Sequence, residues 1–225
     1  MRRWIALLLT SIAPLGAQEQ TVAMLKTEVL TILPSLPGWC SREKAENFVD
    51  LVVHVKPKVC VEIGVFGGAS AIPVALALKY LGAGVLYAID PWDKLECIKG
   101  FDPVAEQKHV EWWSRVRLNH ISIQFKAALQ EYELVDHCIA MQMTSEKAAN
   151  RIGAIDILYI DGNHSESSSS QDVALYLPKV PPGGYIWIND ANCNGSRKIM
   201  PVLLQECDFV KAIDQGNCFL FRKRA

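Results

Sequence analysis

The chain carries seven cysteines but no C-x-x-C pair, and their number is odd. The missing pair speaks against a zinc site, and the odd count against a complete disulfide framework. Surplus charge of either sign is also missing, since 23 Lys and Arg face 24 Asp and Glu for a formal charge of −1. No basic block stands out beyond Arg222-Lys223-Arg224, so the composition argues against a general nucleic-acid binder. The apolar run at 4–13 falls short of the ~18 residues expected of a membrane span. The dinucleotide fingerprint G-x-G-x-x-G is absent as well, because Phe66 stands where its second glycine would be.

What is present suits one soluble α/β domain. The 225 residues are 50% hydrophobic and 21% charged, which is the balance of a folded core with a polar surface. Met1-Arg2-Arg3, the apolar run and the small residues 14–17 together have the form of a secretory signal peptide. We therefore expect a signal at 1–17, a helical extension at 18–40 and the main domain at 41–225. A mature chain of that kind has no membrane span and is exported; a cytoplasmic chain whose N-terminal helix lies on the domain is the alternative. Within the extension, a helix at 22–33 breaks at Pro34-Ser35-Leu36-Pro37-Gly38.

The organising stretch is 59–70. The strand-like Val59-Cys60-Val61-Glu62-Ile63 runs into Gly64-Val65-Phe66-Gly67-Gly68, and Ser70 stands as N-cap before the helix 71–81. Glycine there serves a sharp turn and leaves room for a ligand against the backbone. The following helix points free N–H groups at the same place. Glu62 would repel a pyrophosphate but would welcome an amino group. A second strand, 85–90, ends in Asp90, 22 residues beyond Gly68. An acid there accepts hydrogen bonds from ribose hydroxyls in nucleotide folds, or caps the next helix.

Further along, Trp92, Trp112 and Trp113 belong to a partly helical insertion that either covers a ligand or packs in the core. A helix at 122–135 and a strand at 138–143 lead to Thr144-Ser145-Glu146, with Ser145 as a cap for a helix at 146–151. The strand 155–160 delivers Asp161-Gly162-Asn163-His164, and a serine-rich link at 165–170 precedes a helix at 172–177. The turn 178–184 feeds a strand ending in Asn189-Asp190. A helix at 198–206 is followed by strands at 209–213 and 218–221 about a glycine turn, which makes an antiparallel hairpin.

The pattern Glu62, Gly64, Gly68, Ser70, with the D-G-x-H and P-P-G-G turns, resembles class I S-adenosylmethionine-dependent methyltransferases over roughly 41–222. Within them it is most similar to the catechol and caffeoyl-CoA O-methyltransferase branch. The resemblance implies a doubly wound α/β fold with a mostly parallel seven-stranded sheet that ends in the hairpin. It implies S-adenosylmethionine as cofactor, held by Glu62, Gly64, Gly68, Ser70 and Asp90, with Ser145 and Glu146 against the adenine. It also implies a small hydroxylated acceptor. Asp161, Asn189 and Asp190 match positions that hold magnesium in that branch, while some relatives with a single acid at the second pair bind none. His164 stands where those enzymes carry a lysine base, and as a neutral imidazole near pH 7 it would take the acceptor's proton; a loop anchor is its other reading. The oligomeric state stays open, a homodimer included. Two rivals keep the fold: an exported binding or surface protein without turnover, and a hydroxylase-like relative. Export leaves a conflict, since S-adenosylmethionine is made in the cytoplasm.

Overall fold

Alternation of side chains along short apolar strands decides the architecture. In the computed structural model, which describes residues 15–225, α1 (Leu15–Ile32) leads to α2 (Arg42–Val55), β1 (Val59–Ile63), α3 (Ala71–Leu81) and β2 (Val85–Ile89). An insertion follows, with α4 (Lys94–Ile98) and α5 (Gln107–Arg115), then α6 (Leu118–Glu131), β3 (Cys138–Met141) and α7 (Ser145–Ala149). The second half has β4 (Ile157–Ile160), α8 (Glu166–Tyr176), β5 (Tyr185–Ile188), α9 (Asn194–Glu206), β6 (Cys207–Ile213) and β7 (Cys218–Lys223).

The seven strands form one sheet in the order β3-β2-β1-β4-β5-β7-β6. The first five pair in parallel, and β7 runs antiparallel to both β5 and β6. This is the expected doubly wound sheet with its terminal hairpin. Both faces of the sheet's centre are covered, so β4 and β5 are apolar on both sides. Ile157, Tyr159 and Trp187 point into the layer with α1, α2 and α3, whereas Leu158, Ile160, Ile186 and Ile188 point into the layer with α7, α8 and α9. The strand order reverses between β1 and β4, and the crevice beyond their carboxyl ends is where such folds bind ligands.

Local signals explain most elements. Ser41 caps α2 by accepting from the Lys44 amide at 3.1 Å, and Ala45, Phe48, Val49 and Val52 form its buried stripe. Lys56 in the left-handed region ends α2 before Pro57. Elsewhere the expectations change. Ser70 makes no capping hydrogen bond, because its hydroxyl donates to Glu62 instead. Thr144, not Ser145, caps α7. The serine-rich 165–170 is not a link: Ser165 caps α8, and 166–170 form its first turns. Cys193 starts α9 four residues earlier than expected.

All seven cysteines are free, and Cys60 and Cys138 are buried in strands as small apolar groups. The expected signal at 1–17 lies outside the described residues except for its last three, which open α1. Among the described residues, no helix is long and apolar enough to cross a membrane.

Candidate active site

Four strand tips line up at the carboxyl edge because their first turn residues continue the ladder. The Gly64 amide donates to Ile89, Asp90 to Met141, Asp161 to Ile63 and Asn189 to Ile160. Above them lies a cavity of about 790 Å³, whose lining includes Trp39, Lys44 and residues of α4 and α5. Gly64, Ser70, Asp90, Ser145, Glu146, Asp161, His164, Asn189 and Asp190 all line it; Glu62 and Gly68 stand behind.

On the β1 and β2 side, backbone conformation does most of the shaping. Gly64 and Gly68 both have φ of +87°, and Phe66 between them has φ of +49°. The glycines make room for protein rather than ligand: a Cβ on Gly64 would lie 2.1 Å from the Asp161 carbonyl oxygen, and one on Gly68 would lie 2.5 Å from the Phe125 ring. Asp90 ties the two turns together by accepting from the Phe66 amide at 2.9 Å and the Trp92 amide at 2.7 Å. Burial raises its pKa to about 6 against the pull of these backbone donors. Glu62 is 1% exposed and accepts the Ser70 hydroxyl on Oε1, while Oε2 has no partner. Burial pushes its carboxyl well above the usual range, against the Ser70 hydrogen bond. Farther along, the Ser145 hydroxyl donates to Asp172 at 2.5 Å, and Glu146 lies exposed beside it. Burial raises Asp172 to about 6.

On the β4 and β5 side, side chains do the shaping. Asp161 accepts from Asn189 Nδ2 at 2.8 Å and from the Tyr159 hydroxyl at 2.9 Å. Burial raises its pKa to about 6, with His164 pulling the other way. The Asn189 amide oxygen accepts from Lys44 Nζ at 3.1 Å. Asp190, at φ of +45°, accepts from Asn217 Nδ2 at 3.0 Å and pairs with His164 Nε2 at 2.9 Å. His164 Nε2 also lies 3.8 Å from Asp161. Asp161, His164 and Asp190 thus bring three ligand-type atoms within 4.8 Å of one another.

The neighbours of His164 pull against the expected neutral imidazole. Burial alone would lower the His164 pKa, but hydrogen bonds with Asp190 and Cys193 and the nearby carboxylates outweigh it and raise the value to about 10. These contacts favour the protonated ring over the neutral one. Its hydrogen bond in turn holds Asp190 below the usual carboxylate range.

Sequence reasoning missed Lys44, Asp172, Asp214 and Asn217, which are distant in the chain from the motifs they serve. Lys44 alone carried a signal, standing four residues before Phe48 in the apolar stripe of α2. Trp39, 62% exposed, stacks near Phe66 at 5.1 Å and near Trp112 at 5.5 Å, so the insertion supplies an aromatic wall. Of the two expected roles for its tryptophans, Trp112 and Trp113 take cavity lining, while Trp92 is 3% exposed core.

Comparison with known proteins agrees with this sheet order. The O-methyltransferase NovP superposes with a TM-score of 0.69 at 13% identity, covering 92% of this chain and 100% of that one. TomG, an O-methyltransferase from Streptomyces achromogenes involved in tomaymycin synthesis and solved in complex with SAM, gives 0.61 at 15%, covering 96% and 93%. The O-methyltransferase of Bacillus cereus in complex with SAH gives 0.59 at 15%, covering 92% and 97%. At such identities the likeness concerns the fold. No curated protein sequence matches. Residues 61–191, from β1 to the tip of β5, match the methyltransferase domain family. The chain belongs to that family and is a class I methyltransferase.

Proposed function

We propose that the chain moves a methyl group from S-adenosylmethionine to a hydroxyl oxygen of a small acceptor. The observation that carries the reading is one cavity walled by the Asp90-stitched cradle on one side and by the Asp161, His164 and Asp190 cluster on the other. The family match and the cofactor or product named for TomG and the Bacillus cereus enzyme support it.

The residues fit the cofactor. A buried carboxyl with one unpartnered oxygen suits an ammonium donor, and Glu62 Oε2 is such an atom. Asp90 has lone pairs left for ribose hydroxyls, Ser70 lines the turn, and Ser145 and Glu146 line the cavity and would meet the adenine. Bound there, S-adenosylmethionine supplies an electrophilic methyl on a sulfonium.

The chain's own work is to orient the acceptor and to favour its oxygen as an anion. Trp39, Phe66 and Trp112 offer a flat apolar wall for the body of a small hydroxylated acceptor. His164 stays bound to Asp190 and offers its charge to the oxygen, which lowers the cost of ionising the hydroxyl, whose proton leaves to water in the cavity. This replaces the role of neutral base with that of cationic partner, while the Asp161 carboxylate lies 3.8 Å from the same ring nitrogen.

The test is calorimetry of the purified chain with S-adenosylmethionine, S-adenosylhomocysteine and NAD, followed by a screen of catechols, sugars and hydroxylated acids for methyl acceptance. Binding of both sulfur ligands but not NAD is expected. Binding of NAD alone would overturn the reading.

A further inference from the structure

We propose that Lys44 is the resident cation of the acceptor side, and that this chain works without the divalent ion that its resemblance implies. The proposal rests on the methyltransferase reading for the reaction, and on side-chain geometry for the cation.

Lys44 sits in the first turn of α2 and is 2% exposed. A buried ammonium persists only where acceptors replace its water. Here they come from three parts of the fold: the Trp39 carbonyl at 2.9 Å, the Asn189 amide oxygen at 3.1 Å and the Asp214 carboxylate at 3.7 Å. The first of these fixes the chain entering α2, and the last draws in the turn between β6 and β7. The middle contact decides the chemistry. Because Asn189 Oδ1 faces the ammonium, its Nδ2 must face Asp161, to which it donates at 2.8 Å. Asn189 thus presents hydrogens, not a lone pair, to its supposed fellow ligand.

Magnesium needs several oxygen lone pairs converging at about 2.0–2.1 Å in octahedral array. Each candidate oxygen is already engaged by a protein donor or cation. Both Asp161 oxygens accept from protein donors, Asn189 Nδ2 and the Tyr159 hydroxyl. The Asn189 oxygen accepts from Lys44, and the two Asp190 oxygens are engaged by Asn217 and His164. The alternative trio of Asp161, His164 and Asp190 fares no better, because His164 Nε2 is already the hydrogen-bond partner of Asp190. A fixed ammonium 3.1 Å from one expected ligand atom would also repel a divalent ion. With Asn rather than Asp at 189, the site has one carboxylate fewer than an Asp-Asp pair gives, and Lys44 adds one buried positive charge. Lys44 is a positioning residue: it orients Asn189, which holds the Asp161 carboxylate beside His164.

The decisive experiment titrates wild-type protein with Mn²⁺ and follows the free-ion electron paramagnetic resonance signal. The expected result is no depletion at millimolar Mn²⁺, and measurable retention in Lys44→Met. Stoichiometric retention by the wild type, lost in Asp161→Asn, would overturn the proposal. So would a Lys44→Met protein that holds Mn²⁺ no better than its parent. With an acceptor found, Lys44→Met should lower kcat about tenfold or more while S-adenosylmethionine affinity is kept, and Lys44→Arg should recover part of the loss; an unchanged kcat would count against the role. The manganese titration needs neither cofactor nor acceptor. Failure of S-adenosylmethionine to bind would therefore sink the functional reading and leave the claim about the cation to be judged on its own result.

Discussion

The two walls of the cavity are built by different means. The wall over β1 and β2 is made of backbone: left-handed turns, amide donors and one carboxylate that ties two loops together. The wall over β4 and β5 is made of side chains that arrive from α2, from the strand tips and from the β6–β7 turn. A backbone wall is set by local sequence, and damage to it should appear first as lost stability. A side-chain wall is set by tertiary arrangement, and damage to it should appear as lost rate.

The hardest test of that division is Gly64→Ala. A Cβ there meets the Asp161 carbonyl oxygen at 2.1 Å, with φ at +87°, and the obstacle is backbone that cannot swing aside. We expect a loss of about 3 kcal/mol or more in urea unfolding, above what strain at a left-handed position costs alone. An unchanged unfolding midpoint would show that the first wall is softer than its dihedral angles suggest.

His164→Ala probes the other wall. Removing a charged donor from a preorganised site lowers kcat by about 10² or more. Affinity for S-adenosylmethionine should stay close to that of the parent, because His164 stands on the acceptor side. If affinity fell as far as rate, the two walls would not be separable, and a rate equal to the parent's would remove His164 from the mechanism.

The same division explains what the sequence reveals. β1 and its glycine turn are legible because strand composition, glycines and a helix start lie within twelve residues. The tips with Asp90, Asp161 and Asn189-Asp190 follow from the same local grammar, each an acid or amide after an apolar strand. Position is legible; contact is not. Asn189 is equally ready to give an oxygen to a metal or an amide hydrogen to Asp161, and only the buried Lys44 decides between them. The serine-rich 165–170 reads as a link by composition, yet 166–170 form helix because α8 packs on α9 so closely that a Cβ on Gly195 would lie 2.3 Å from the Ser169 hydroxyl. Small residues there serve close packing between helices, a requirement no single stretch displays.

A milder break returns to the first wall. Asp90→Ala should weaken S-adenosylmethionine binding about tenfold or more, since charge-assisted hydrogen bonds contribute roughly 1.5–3 kcal/mol. The change also leaves the Phe66 and Trp92 amides without their acceptor, so part of the loss reflects a loosened cradle. Calorimetry on Asp90→Asn, which keeps one acceptor oxygen, should fall between the two. Equal affinity in all three proteins would remove Asp90 from the cofactor's hold.

The smallest effect, and the most specific, is a dependence on pH. In the free protein burial raises the Asp90 pKa to about 6, against the backbone donors. Ribose hydroxyls would donate to the ionised form and stabilise it, so the bound pKa must lie below the free one. The Asp90 contribution to affinity is then constant above the free value and falls as pH drops through it, because binding must first expel a proton. Between pH 7 and pH 5 the loss approaches about tenfold, from one group with a pKa near 6. Glu62 acts in the same direction, being held well above its ordinary range, but Asp90→Asn separates the two because an amide does not titrate. The Asn variant should bind more weakly at pH 7 and lose about tenfold less than the parent on the way to pH 5, so that its curve closes on that of the parent. Parallel curves would place the titrating group elsewhere and leave the cradle resting on its backbone alone.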